Sequence, residues 1–277
     1  MIQGSQKKIA VVNDFSGFGH CSLAVALPVI SALGVQCCPV PTSVFSNHTA
    51  YPDYFFVDFT DMLEPYLEKW EKLGLEFDAI YTGFLGSERQ AAIVQKMLGT
   101  FRRPGTVVVV DPVMGDHGRT YQTCTPKVCS AIKELACSAD IITPNLTECC
   151  ILTGENYRED FSEEELLNLA GKLQTLGPKQ VVITGVEAGD YLYNVIADGE
   201  RRTIHPVKKT GAARCGTGDI FASVIAANAA KGVSLTEAVG QASDFIAKCI
   251  ARSEEKGLAP RDGVCFEECL GELILKK

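Results

Sequence analysis

The sequence predicts a three-layer α/β fold: a doubly wound, mostly parallel sheet with helices on both faces. Strand-like apolar runs alternate with helical patterns along the chain, the order of linked βαβ units. Several runs, the four valines at 107–110 above all, are apolar at every position, so both faces of those strands must be covered. Polar, glycine-containing segments follow the runs, and in such sheets ligands collect beyond the carboxyl ends of the strands. A length of 277 residues suits one large domain of this class, and no repeat, low-complexity stretch or linker divides 1–277.

The first strand is expected over residues 9–12, followed by a helix over 23–33 that Gly34 stops, and by a second strand over 35–40. Residues 58–73 carry an amphipathic pattern with acidic residues in the first turns and Gly74 past the end, a helix whose charges complement its dipole. A strand at 79–81 and a helix over 87–98 precede the valine strand. The apolar stretches at 141–142 and 181–183 repeat the strand signature, each after a helix. Residues 191–197 and 202–207 alternate around Asp198 and Gly199, a hairpin signal that predicts an antiparallel addition at one side. Helices over 220–230 and 235–251 close the pattern.

The formal net charge is -8 and no block of five Lys or Arg occurs, which argues against nucleic acid or an anionic membrane as partner. No charged residue lies between Asp14 and Asp53, but Pro28, Gly34, Pro39 and Pro41 break that stretch below the ~20 apolar residues a membrane span needs. Residues 1–8 lack a leader's cleavage pattern. Twelve cysteines fall at neither metal-ligand nor disulfide-framework spacings, so reduced thiols packed as small apolar side chains are expected. Cys265 and Cys269 suit one face of a helix, and Cys215 is the thiol to test for reactivity.

Gly216-Thr217-Gly218-Asp219 stands directly before the apolar run 220–227. Two glycines let the backbone approach a ligand closely, and the following helix aims unpaired N–H groups and its positive dipole end at it. A carboxylate at the lip of such an anion cradle makes chemical sense as the acceptor of a proton from a hydroxyl attacking a cradled phosphoryl group. The competing reading is a tight turn in which Asp219 caps the helix.

Other constellations sit after the strands, in segments 13–19, 42–49, 82–86, 111–116 and 143–148, and at Thr184-Gly185. Asp111 and Asp116 are of the type that hold Mg²⁺ directly or through water, or that cap a turn. Asn145 and Glu148 match a capping box, a role compatible with metal organisation. His48 reads as a satisfied loop histidine, since no second metal-binding histidine accompanies it. Phe84 is either ordinary core or a ring wall for a flat heteroaromatic substrate.

Phe45-Ser46-Asn47-His48-Thr49, Thr82-Gly83-Phe84, Asp111-Pro112-Val113-Met114-Gly115-Asp116, Ile142-Thr143-Pro144-Asn145-Leu146-Thr147-Glu148 and the cradle together resemble the pyridoxal (vitamin B6) kinases of the ribokinase-like superfamily. The resemblance runs in order from about Asn13 to Ala230; the first string is specific to the B6 branch, and the cradle is shared across the superfamily. It implies ATP-dependent phosphorylation of the 5′-hydroxymethyl group of pyridoxal, pyridoxamine or pyridoxine. Asp219 would be the general base, with Gly216, Thr217 and Gly218 as the anion hole. Asn145 and Glu148 would organise Mg²⁺, with Asp116 near the ATP phosphates. Asp111, Thr143 and Thr184 would surround the metal and a monovalent cation such as K⁺. Ser16, Phe45, Thr49 and Phe84 would belong to the substrate pocket, and residues 117–124 to a flap over ATP. The family implies a cytoplasmic homodimer.

The first segment departs from the family pattern. Asp14 stands where the best-known members have a serine at the pyridine ring, and 13–19 resembles the glycine-rich opening of hydroxymethylpyrimidine phosphate kinases. Phe84 stands where many members have tyrosine. A carboxylate at Asp14 can pair with a protonated pyridine nitrogen or a substrate amine. A hydroxymethylpyrimidine kinase is therefore the nearest alternative, ahead of a non-catalytic B6-vitamer binder and a sugar kinase. The intact cradle with its carboxylate argues against a pure binder.

Overall fold

The computed structural model describes residues 6–274; residues 1–5, most of the opening read for a leader, lie outside them. Strands β1 (Lys8–Phe18), β2 (Gln36–Asn47), β3 (Phe56–Asp58), β4 (Ala79–Thr82) and β5 (Val107–Val110) fill the first part of the chain. They are followed by the two-residue strands β6 (Gly115–Asp116), β7 (Arg119–Thr120) and β8 (Ile141–Ile142), then β9 (Gln180–Ala188), β10 (Tyr191–Asp198) and β11 (Arg201–Lys208). The main sheet runs β11-β10-β9-β8-β5-β4-β1-β2-β3. Its centre, from β9 to β2, is parallel, as the continuous apolar runs require. β10 and β11 form the expected antiparallel hairpin at one side.

The helices are α1 (Ser22–Ala32), α2 (Thr60–Lys72), α3 (Glu88–Phe101) and α4 (Pro126–Ser138), then α5 (Leu146–Thr153), α6 (Glu163–Gln174), α7 (Thr217–Lys231) and α8 (Leu235–Glu255). Alternate strand residues feed two cores. Ala10, Val12, Ile80, Val108 and Val110 pack with α2 to α6, while Ile9, Val11, Ala79, Tyr81 and Val109 pack with α1, α7 and α8. Each such valine or isoleucine contributes about 1.5–3 kcal/mol by leaving water. α7 is buried along its length, from Ile220 through Asn228, which is why its sequence shows no polar face.

Four expectations need correction. β1 and β2 continue through segments read as loops, pairing Ser16 with Phe45 and Phe18 with Asn47 beyond the body of the sheet. β3 adds antiparallel to β2, and the first α2 turn starts at Thr60 rather than 58. β6 and β7 make a small hairpin that begins before the segment 117–124 read as a flap and places only β7 inside it. α7 starts at Thr217, so Thr217, Gly218 and Asp219 form the helix's first turn instead of a turn before it.

All twelve cysteines are unbridged. Cys269 lies in the 3-10 turn Glu267–Glu272 and Cys265 precedes it, so the pair does not share an α-helix. Among the described residues no helix is long and apolar enough to cross a membrane.

Candidate active site

α7 packs against β1, β4 and β5 with its first turn at the carboxyl end of the sheet, where Asn13 of β1 reaches Asp219. The two cradle glycines exist for different reasons. Gly216 is the N-cap at φ 78°, and a Cβ there would lie 1.7 Å from the His20 carbonyl oxygen. A Cβ on Gly218 would meet nothing within 4 Å, so glycine there leaves free volume above the helix end. Ile220 N–H makes the first intrahelical bond, 3.0 Å to the Gly216 carbonyl. The N–H groups of Thr217, Gly218 and Asp219 have no intrahelical acceptor and are placed to meet an anion.

Asp219 does not cap the helix. It is partly buried, and its Oδ1 accepts from Asn13 Nδ2 at 3.1 Å, while the Ser22 backbone N–H also serves it. Burial, then the charge of Asp14, pushes its carboxyl from 3.8 up to about 6; the Ser22 and Asn13 bonds pull the other way. That places it in the range of a base working near neutral pH. Ser22 holds a left-handed backbone at φ 54°, a strain of about 1–3 kcal/mol for a residue with a side chain. Its Oγ donates to Asp14 Oδ1 at 2.5 Å, so one residue serves both carboxylates.

Asp14 is buried and accepts a second bond from Ser16 Oγ at 3.0 Å; burial raises its carboxyl above the ordinary range. Ser16 thus directs its proton to Asp14. Across β1 and β2, Ser16 pairs with Phe45, and Phe45 pairs with Phe56 of β3. The buried Phe45 ring lies 4.7 Å from the Phe56 ring and meets Phe84 edge-on at 6.3 Å. Phe84 N–H donates to Asn13 Oδ1 at 2.9 Å, which joins this aromatic wall through the Asn13 amide to Asp219. Thr49 is exposed in the turn after β2. His48 is satisfied, with Nε2 2.8 Å from the Arg261 carbonyl and Nδ1 accepting from Ala50 N–H.

On the other side, Asp111 follows β5 and accepts from Thr143 Oγ1 at 3.2 Å. Burial and the charge of Asp219 push it up to about 8. Glu148 and Asn145 form the capping box of α5, and Glu148 also accepts from Met114 N–H at 3.1 Å. Burial and then Asp111 hold Glu148 well above the ordinary range. Asn145 Nδ2 donates to the Gly115 carbonyl at 2.8 Å, and Thr184 bridges to Asn145. Asp116 is exposed on the β6–β7 hairpin. Among the described residues, no Lys, Arg or His makes an ion pair with Asp111, Glu148 or Asp219. No group of three His, Cys, Asp or Glu there could hold a metal alone. The donor set fits a hard divalent cation that takes its remaining ligands from phosphate oxygens and water.

Three residues that hold the candidate site in place escaped the sequence reading: Asn13, Ser22 and Arg214. The Arg214 side chain is 1% exposed; Nη1 donates to the carbonyls of Leu258, Ala259 and Gly263, and Nη2 pairs with Glu254 at 2.9 Å. It fastens the loop before the cradle to the turn Pro260–Asp262. A lone arginine in a loop of small residues was the available signal. Cys215 is the opposite case. Burial and Asp219 raise its thiol, so the thiolate needed for reactivity is disfavoured.

A parallel α/β scaffold with an anion cradle, an adjoining carboxylate and further carboxylates suited to a cation is the layout of a kinase that phosphorylates small alcohols. The family model for phosphomethylpyrimidine kinase matches residues 25–262. The chain belongs to that family, among the ribokinase-like proteins that include the vitamin B6 kinases. It is 31% identical over 247 residues to a pyridoxine/pyridoxal/pyridoxamine kinase of Bordetella avium, covering 84% of this chain and 81% of the relative. It is 28% identical over 256 residues to a hydroxymethylpyrimidine/phosphomethylpyrimidine kinase of Aquifex aeolicus, covering 92% of each. A Bacteroides thetaiotaomicron protein assigned as a phosphomethylpyrimidine kinase, in a crystal form with pyridoxal, superposes with a TM-score of 0.94 at 39% identity, covering 98% of this chain and 96% of that one.

Proposed function

We propose that this kinase transfers the terminal phosphoryl group of ATP to the 5′-hydroxymethyl group of pyridoxal, pyridoxamine or pyridoxine. The observation that carries the reading is the juxtaposition at 216–219: unpaired helix N–H groups, free volume at Gly218, and a partly buried carboxylate one residue on. Asp219 takes the hydroxyl proton, and the Thr217, Gly218 and Asp219 N–H groups stabilise charge on the phosphoryl oxygens. Phe45 and Phe84 wall the ring, and Asp14 pairs with its nitrogen or a substrate amine. Asp111, Thr143 and Glu148 would hold Mg²⁺, with Thr184 beside a K⁺ site; bound there, the divalent ion neutralises phosphate charge. Asn145 and Asp116 lie toward the nucleotide. The whole of 1–277 acts as one kinase domain, as a cytoplasmic homodimer.

Hydroxymethylpyrimidine is the second reading, favoured by Asp14 in the first segment and by the Aquifex relative. The string from Phe45 to Thr49 and the pyridoxal-bound structural relative favour the B6 vitamers. A coupled ATP-consumption assay over the three vitamers and hydroxymethylpyrimidine separates them. The expected result is a higher kcat/KM for a vitamer. A higher value for the pyrimidine overturns the choice, and tight vitamer binding without turnover would mark a binder.

A further inference from the structure

We propose that Asn13 is the positioning residue of this site, setting the base Asp219 against the ring wall at Phe84; the inference rests on the base role given to Asp219 above. Asn13 is 1% exposed in the middle of β1, at the register shift between Asn13 and Phe15, and its Oδ1 accepts from two backbone N–H groups, Asp14 at 3.0 Å and Phe84 at 2.9 Å. Backbone N–H groups only donate, so those two bonds identify the oxygen of the amide and leave Nδ2 facing Asp219 Oδ1 at 3.1 Å. The amide is therefore locked in one orientation, and Asp219 meets a fixed donor rather than a rotating one.

Gly83 completes the device. A Cβ there would lie 2.5 Å from Asn13 Nδ2 and 2.7 Å from its Cγ, with no positive φ to explain the glycine otherwise. The glycine of the 82–84 motif makes room for this amide. Asp219 is faced by Asp14 from β1, by Tyr81 from β4, by Asp111 beyond β5, and by Cys21 and Cys215 before α1 and α7. Those groups are acidic or uncharged. Asn13 and the Ser22 N–H are the donors that hold its anion.

Two substitutions separate the arms of Asn13. Asn13→Asp keeps an oxygen for the Asp14 and Phe84 N–H groups but turns a carboxylate toward Asp219. It should lower kcat about 100-fold at pH 7 and leave vitamer KM within about threefold. The acid limb of the kcat profile should move up by at least about one pH unit, because a hydrogen bond that favoured the anion is replaced by a like charge. Asn13→Ala removes both arms and should raise vitamer KM as well. Gly83→Ala reaches the same amide from outside and should shift the limb in the same direction. Binding of a non-hydrolysable ATP analogue reports that each variant is folded. A wild-type kcat and an unmoved acid limb in Asn13→Asp overturn the proposal; should that variant not fold, an unmoved limb in folded Gly83→Ala overturns it. Failure of the base assignment is seen separately, as retained turnover in Asp219→Asn.

Discussion

At pH 7 the Asp219→Asn protein should unfold at a higher temperature than the wild type while losing most of its turnover. In the fold the Asp219 carboxyl titrates at about 6 instead of 3.8, because burial and then Asp14 disfavour its anion. The folded chain binds this proton more tightly than the unfolded chain does. Wild-type stability therefore falls as pH rises from 3.8 to about 6, and stays lower above that window. A separation of about two pH units corresponds to about 3 kcal/mol at neutral pH. Asparagine offsets part of this gain, since one amide oxygen replaces two carboxylate oxygens and an N–H left unmatched costs about 1 kcal/mol. The net gain is about 2 kcal/mol, or about 4 °C in Tm for a chain of this size. Calorimetry at pH 4 and pH 7 reads the difference: the melting curves should converge at pH 4 and separate at pH 7. A variant no more stable than wild type at pH 7 refutes the account of a desolvated charge. Kinetics on the same samples should show nearly intact ATP affinity, and unchanged turnover would remove the base.

The cradle glycines predict opposite phenotypes. Gly218→Ala adds a methyl group to free volume in a helical turn, so stability should hold or rise by up to about 1 kcal/mol while turnover falls and KM for ATP rises. Gly216→Ala places a Cβ 1.7 Å from the His20 carbonyl at φ 78°, and should lower stability by about 3 kcal/mol in denaturant titration. Equal stability effects in the two variants would contradict the distinction. Arg214→Met leaves three carbonyls without their donor and should cost about 3 kcal/mol by the same measurement, with a loss of turnover beyond what unfolding explains.

The sheet was legible because a parallel strand covered on both faces writes itself as an apolar run, as at Val107–Val110 and Val181–Ile183. The far ends of β1 and β2 were not, since Ser16, Gly17 and Ser46 look like loop residues, and these ends become strands only by pairing with each other and, for β2, with β3. β3 escaped because all three of its residues are exposed, leaving no alternation to detect. In the site, Asp219, Asp111, Glu148 and the aromatic wall stood out by residue type. Asn13 did not, because an asparagine at a strand end reads as a turn former. Its partners lie at Phe84 and Asp219, 71 and 206 residues away, and only the fold brings them together.

The bond between Asn13 and Asp219 joins residues 206 apart along the chain, from the first strand to the seventh helix. Contacts between residues so distant along the chain close late when a protein folds, after the local elements have formed. Enzymatic activity should accordingly lag behind helical content during renaturation, and its recovery would time the last docking event. A nascent chain still lacking α7 would carry every strand of the main sheet but neither the cradle nor the Asp219 carboxylate, so it should consume no nucleotide.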